Sequence, residues 1–436
     1  MKTLISFFLA LTFTGFSNSA SSQTWNPVGT GLDSTVSVLF SKNNTLYAGG
    51  LFTNSIASFN GSVWTPLGTG ANGNIKTLTY YNNQLVAGGS FDTISGASIA
   101  NIAIWNGVSW DSLASGFDGE VNILLEDSIN NLLYVAGDFN NSGSINVNKI
   151  AVWDGVSWSN LSSGMDYNVN ALAIYNNELY AAGDFDGAGG IAAYHIAKWN
   201  GTNWSAVGSG SNLEVNDLQV FQGELYAAGK FTNMGGAAKR IAKWNGSNWS
   251  SVANGFNAEV LDLEIFNNEL YAAGLFSISN LDTVGNIAKL VGSVWMEVSS
   301  ERMDSTVITL SANSSFIYAG GLFSSAGGVP LNHVAQSDLI SSVTAIEGGN
   351  KNDFFTIYPN PSNGNTTLNY FLEKQEKVEI LLYNIHGQLV KSYKEGIKNK
   401  GINKFVFSTN KIKQGIYFVK LRNETSEKSI KLTVLK

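Results

Sequence analysis

The sequence predicts an all-β protein: a seven-bladed β-propeller of four-stranded blades closed by the N-terminal strand, plus a C-terminal Ig-like β-sandwich. Three observations predict it. The segment L-Y-A-[AG]-G-x-F recurs seven times, with the glycine before x-F at Gly50, Gly89, Gly137, Gly183, Gly229, Gly274 and Gly321. An aromatic pair, W-[ND]-G-x-x-W, follows in register at Trp105/Trp110, Trp153/Trp158, Trp199/Trp204 and Trp244/Trp249, with weaker copies at Phe59/Trp64 and Leu290/Trp295. The charge then inverts: residues 351–436 hold 15 of the 26 Lys+Arg and 7 of the 33 Asp+Glu, a net of +8, against −15 for residues 1–350.

The chain begins with Met1-Lys2, an apolar run from Leu4 to Phe16, and small polar residues from Ser17 to Gln23. That run is too short for a membrane span, and the layout is that of a secretory signal peptide, residues 1–22. No later run reaches about 18 apolar residues, so no transmembrane helix is expected in the mature protein.

Each repeat reads as four short strands. In the fourth unit Val169 to Ile174 alternates and meets the turn pair Asn176-Asn177. Glu178 to Phe185 is the second strand, His195 to Trp199 the third and Trp204 to Val207 the fourth, the last two joined at Asn200-Gly201. Four antiparallel strands in about 45 residues make a propeller blade. The small residues and Gly183 of the second strand are expected to admit a neighbouring sheet.

Closure fixes the count. Seven second strands stand against six aromatic hairpins, and ten of the eleven tryptophans lie in those hairpins. The eleventh opens Trp25-Asn26-Pro27-Val28-Gly29, which matches Trp64-Thr65-Pro66-Leu67-Gly68. The Trp25 strand is therefore expected to complete the last blade, since an open blade exposes unpaired edges. The propeller spans 24–340 and a linker 341–353. An aromatic repeated once per blade at fixed register is core, in preference to a ligand-stacking platform.

The glycine-rich second strands and spaced aromatic pairs resemble the kelch and galactose-oxidase-like propellers. The resemblance implies the fold. Galactose-oxidase chemistry needs a cysteine cross-linked to tyrosine and copper-binding histidines, whereas this chain has no cysteine and three histidines. The oxidase activity does not carry over.

The tail, 354–436, opens on Tyr358-Pro359-Asn360-Pro361-Ser362-Asn363-Gly364. A strand follows from Val378 through Tyr383 and Asn384, then a turn at His386-Gly387 and Gln388-Leu389-Val390. Gly415-Ile416-Tyr417-Phe418-Val419-Lys420 and Lys428 to Lys436 complete a compact antiparallel sandwich. These motifs closely resemble the type A C-terminal sorting domain of the type IX secretion system. The resemblance implies a Gram-negative host, export, handling by the type IX machinery, and a final place outside the cell or on the outer-membrane surface.

Composition excludes several functions. Without cysteine there are no disulfides, thiol nucleophiles or Cys-ligated metals. The acidic body cannot neutralise a phosphate backbone, so nucleic acid is not a partner. No G-x-S-x-G, H-E-x-x-H or P-loop motif occurs.

Propellers bind at the channel mouth, where each inner strand begins. The residues there are Thr35, Asn74, Glu120, Asn168, Glu214, Glu259 and Thr306. Converging carboxylates would raise one another's pKa or hold a hard cation such as Ca²⁺; no other cofactor is expected. A second register position precedes each third strand: Ser55, Asn101, Lys149, His195, Arg240, Asn286 and His333. The ligand-binding candidates are Glu120, Asn168, Glu214, Glu259, His195, Arg240 and His333. The loop from Phe52 to Ser55 is seven residues shorter than its counterpart from Phe91 to Asn101, which leaves a notch in the rim. The reading is a secreted or surface-displayed binding protein for carbohydrate or protein. The alternatives are a propeller glycosidase or lyase using Glu120, Glu214 and Glu259, and a purely structural envelope component.

Overall fold

The computed structural model describes residues 24–338, except 237, 280 and 281, and 355–435, except 359–361, 363, 373, 385–387 and 424–426. The expected signal peptide and linker lie outside the described residues. The chain divides into two compact units, Met1–Ile340 and Ser341–Lys436. Among the described residues every regular element is a strand, and no helix is long and apolar enough to cross a membrane.

The first unit contains, among the described residues, seven four-stranded antiparallel sheets. In the fourth, Val169–Tyr175, Glu178–Gly183, Ile196–Trp199 and Trp204–Ala206 lie side by side in chain order. The first turn is tight because Asn176 and Asn177 both adopt positive φ, 50° and 62°, the conformation that suits a right-twisted hairpin. Short two-stranded hairpins, beyond the four strands expected per repeat, rise between second and third strands, as in Gly187–Ala188 with Ile191–Ala192. In the last sheet the outermost strand is Asn26–Pro27, which pairs antiparallel with Val334–Asp338 through Asn26↔Gln336 and Pro27↔Ala335.

Neighbouring sheets are joined by the repeat's own aromatics. The indole N–H of Trp110, Trp158, Trp204 and Trp249 donates to the carbonyls of Leu67, Leu113, Leu161 and Val207 of the preceding sheet, at 2.8–3.2 Å. Trp64 donates in the same way to Val28, beside the N-terminal strand, at 2.9 Å. The rings meet in tilted pairs; Trp199 and Trp204 have centroids 5.3 Å apart at an interplanar angle of 46°. Phe185, Phe231, Phe276 and Phe323 are fully buried between sheets.

The reason for the glycine before x-F differs from the expected one. A Cβ on Gly183 would stand 2.1 Å from the Asn168 carbonyl oxygen, within its own sheet. A neighbouring sheet is met one position earlier, where a Cβ on Gly88 would lie 2.5 Å from Val121.

The second unit is a β-sandwich. One sheet holds Phe355–Tyr358, Asn365–Leu372 and Gly401–Ser408; the other holds Leu389–Lys398, Glu376–Asn384, Gly415–Arg422 and Glu427–Val434. Leu368 and Tyr370 of the first pack with Ile380, Val419 and Leu432 of the second. Of the sorting motif, Tyr358, Tyr383 and Asn384 end strands, and Gly415 and Tyr417 begin one. Gly364 accepts a hydrogen bond from Thr409 N at 2.7 Å. Pro359, Asn360, Pro361 and Gly387 lie outside the described residues.

Candidate functional site

Each inner strand starts with a β-bulge. Pairing with the second strand slips between Val121 and Ile123, Val169 and Ala171, and Val215 and Asp217, which leaves one extra residue unpaired. In the third and fifth sheets that residue reaches to the next sheet. Asn122 Nδ2 donates to the Val169 carbonyl at 3.2 Å and to Asn170 Oδ1 at 3.3 Å. Asn216 Nδ2 donates to Glu259 Oε1 at 2.8 Å and to the Val260 carbonyl at 2.9 Å. Lys76 bonds Asn122 Oδ1 at 3.2 Å and pairs with Glu120 at 2.6 Å.

The glutamates that stand where the inner strands begin are therefore engaged. Lys230 pairs with Glu214 and lies 3.7 Å from Glu259. Asp184, just past the second strand of the preceding sheet, is electrostatically coupled to Glu214. Burial and the bond to Glu214 push the Asp184 carboxyl up to about 6. Burial also raises Glu214, but bonds from Asp184 and Lys230 outweigh it and hold that carboxyl below its ordinary value. The expected mutual elevation thus falls on Asp184 and reverses at Glu214, because Asp184 and Lys230 both stabilise the ionised Glu214. Among the described residues no group of three or more His, Asp or Glu is placed to hold a metal. Asn168 stands just before its inner strand, and its carbonyl accepts from Asp184 N at 2.9 Å.

The second register position is built differently. His195, Arg240 and His333 adopt left-handed backbone, φ 66°, 67° and 67°. The His195 N–H donates to the Phe185 carbonyl at 2.7 Å, and its own carbonyl accepts from Gly183 N at 3.1 Å. Its ring Nδ1 lies 3.1 Å from the Ser211 carbonyl, and that of His333 lies 3.3 Å from the Gly321 carbonyl. Arg240 donates to the Lys230 carbonyl. These side chains lock the loop that feeds the third strand.

Two features escaped the sequence reading. An Asp or Asn two residues before each mouth position caps the loop twenty residues later. Asp166 Oδ1 accepts from Asp186 N at 3.1 Å and Gly187 N at 3.0 Å. Asn212 Oδ1 does the same for Thr232 N and Asn233 N, both at 2.9 Å. Asp33, Asn72, Asp118, Asn257 and Asp304 act alike. Burial raises the Asp304 carboxyl, yet bonds from Ser324 and Ser325 bring it down to about 2. The signal was an Asx at the repeat period.

The other is a carboxyl group set deeper among the inner strands. Asp217 Oδ2 accepts from Leu263 N of the next sheet at 2.8 Å, and Asp262 accepts from Leu310 N of the one after. Glu264 Oε1 accepts from Ile265 N at 2.7 Å. All three residues are half-buried. Burial raises Asp217 to about 6 and Glu264 to about 8.

Residues 356–435 match the family described as the secretion system C-terminal sorting domain. Residues 105–270 match the Rax2 C-terminal beta propeller domain. The chain carries a β-propeller domain and a secretion sorting domain. The sorting domain implies export by type IX secretion and makes this a secreted or cell-surface protein of a Gram-negative bacterium. Among solved structures, PorZ, an essential bacterial surface component of the type-IX secretion system of Porphyromonas gingivalis, is 13% identical with a TM-score of 0.46. That match covers 93% of this chain and spans 60% of the PorZ chain. A glycoside hydrolase family 43 arabinoxylan arabinofuranohydrolase from Bacillus subtilis is 12% identical with a TM-score of 0.26, over 92% of this chain and 95% of that one. No curated protein matches the chain.

Proposed function

We propose that the protein is a secreted or surface-displayed binding protein whose ligand seats at the mouth of a closed, kelch-like propeller of seven blades. In this reading residues 1–22 are the export leader, 24–340 the propeller, 341–353 the linker and 354–436 the sorting domain. Three observations support ring closure: the pairing of Asn26–Pro27 with Val334–Asp338, the Trp64 bond to Val28, and the bond from Leu39 N to Thr309 Oγ1 at 3.2 Å. Ligand contact falls to Glu120, Asn168, Glu214 and Glu259. His195, Arg240 and His333 hold the surrounding loops. No cofactor enters the mechanism.

One observation favours recognition over hydrolysis: the mouth carboxylates are spent on one another and on lysines. A glycosidase needs two carboxyls about 5–9.5 Å apart with substrate or water between them. Here Lys76 pairs with Glu120, and Lys230 pairs with Glu214 and lies 3.7 Å from Glu259, so each candidate carboxylate already has a cation. Full-length protein on glycan and peptide arrays is expected to give saturable retention without bond cleavage. Release of reducing ends from polysaccharide, abolished by Glu214→Gln, would overturn this reading in favour of a glycosidase.

A further inference from the structure

Seven Asp or Asn caps perform one task, and one of them is left half used. In the other six, the second side-chain atom is also committed to the loop it caps. Asp118 Oδ2 accepts from Asn141 Nδ2 at 2.8 Å, and Asp304 Oδ2 from the Ser324 and Ser325 hydroxyls at 2.6 and 2.9 Å. Asp33 Oδ2 accepts from the Thr53 hydroxyl. Asn212 Nδ2 donates to Thr232 Oγ1 at 3.0 Å, Asn257 Nδ2 to Ser277 Oγ at 3.2 Å, and Asn72 Nδ2 to Asp92 Oδ1. Asp166 Oδ2 takes no side-chain donor among the described residues, because its loop carries Asp186 and Gly187 where the seventh repeat has Ser324 and Ser325. A Cβ on Gly187 would stand 2.9 Å from that oxygen, so the glycine keeps it uncovered.

Asp166 and Gly187 line a groove of about 810 Å³ between loops of the third and fourth repeats. That volume is in the range of small-molecule clefts. The third repeat contributes Asn140, and the fourth contributes Asp186 and Tyr194, with Ser163 on the loop that joins them. Tyr194 is 52% exposed, and its register holds no other aromatic: Asn54, Ala100, Asn148, Lys239, Gly285 and Asn332 stand there in the other repeats. Among the described residues, the side chains of Asn140, Ser163, Asp186 and Tyr194 make no hydrogen bond. The cation in the lining, Lys149, is held by Asp138 at 2.7 Å. An anionic ligand would therefore meet two carboxylates and no free cation. A lone ammonium group would leave the amide and hydroxyl donors without acceptors. A sugar ring suits both: its hydroxyls donate and accept, and its C–H face lies against a phenol ring.

We propose that this groove is a binding site for a neutral oligosaccharide, with one sugar ring stacked on Tyr194 and its hydroxyls bonded to Asp166 Oδ2, Asp186 and Asn140. The site goes beyond the mouth: none of Glu120, Asn168, Glu214 and Glu259 lines it. Tyr194 supplies contact area, and the unspent polar groups supply orientation.

The test titrates the full chain with short neutral gluco-, xylo-, manno- and galacto-oligosaccharides, and with an oligogalacturonate and a lysine-rich peptide as charged comparisons. Saturable binding of a neutral sugar is expected. Two variants are built from the protein's own repeats so that folding is kept. Y194N installs the residue found at Asn148 and Asn332, and D186S/G187S installs the Ser324-Ser325 pair that covers the second oxygen of Asp304. Each is expected to weaken sugar binding by about tenfold or more, with an unchanged urea midpoint. Val108, 86% exposed on a hairpin tip, gives a control, V108S, expected to bind as the parent does. Sugar binding that survives both variants but falls with Glu214→Gln overturns this inference and leaves the mouth reading standing. Binding of no neutral oligosaccharide, or preferred binding of the oligogalacturonate or the peptide, overturns it too.

Discussion

At the residue scale the fold is held by a few side chains that repeat one task. Asp166 is representative. Its carboxylate accepts two backbone N–H groups of a loop twenty residues on, and asparagine performs the same task at Asn72, Asn212 and Asn257. The task needs one acceptor oxygen, not a charge. Asp166→Asn is therefore expected to leave stability nearly unchanged, while Asp166→Ala leaves two donors uncapped and costs about 1 kcal/mol. Urea unfolding of the two variants beside the parent checks this; equal losses would show that charge is what matters. These residues were visible in the sequence as an Asx at the repeat period. They passed unnoticed because an Asx before a strand is ordinary turn chemistry, and its partner lies in another loop.

At the element scale the inner strands carry the chemistry the sequence least announced. Glu264 occupies a position filled in the other sheets by Phe40, Thr79, Leu125, Ala173, Gln219 and Ser311, none of them ionisable. The fold thus favours its neutral form, and its pKa stands at about 8 against an ordinary 4.5. The folded state holds a proton there that the unfolded chain releases. That contribution is complete below pH 4.5 and is lost as the pH rises through about 8. Asp217, raised to about 6, adds to the same trend. The propeller is expected to be less stable at about pH 9 than at about pH 5 by on the order of a few kcal/mol, and Glu264→Gln is expected to flatten the slope. Thermal unfolding across that range measures it; a parent protein that gains stability toward alkaline pH would contradict it. The strand alternation located Glu264 in a strand. Only packing against neighbouring strands takes part of its solvent away.

At the scale of the whole molecule the proposed ring depends on a join between residues far apart in the chain. Trp25 is 3% exposed and packs with Phe323 and Leu331 of the last sheet. Trp25→Ala is expected to cost about 3–5 kcal/mol, as for other buried aromatics, and to make the bare edge of Val334–Asp338 prone to association. Urea unfolding and size-exclusion chromatography test it. An unchanged midpoint with a monomeric profile would count against closure through this strand.

The sequence by itself determined the all-β character, the repeating four-strand unit, the aromatic hairpins and the sorting tail. These rest on local rules: period-two alternation, Asn-Asn and Asn-Gly turns, and motifs that stand in order along the chain. The residues that open each inner strand were also legible as positions, since a repeat carries its register with it. Their partners were not. Tertiary structure decided that Glu214 meets Asp184 and Lys230, that His195 binds a backbone carbonyl, and that Asn140 and Tyr194 line one groove. The physical reason is that each of these contacts joins different repeats or loops, and its energy depends on separations and solvent access that appear only once the sheets pack.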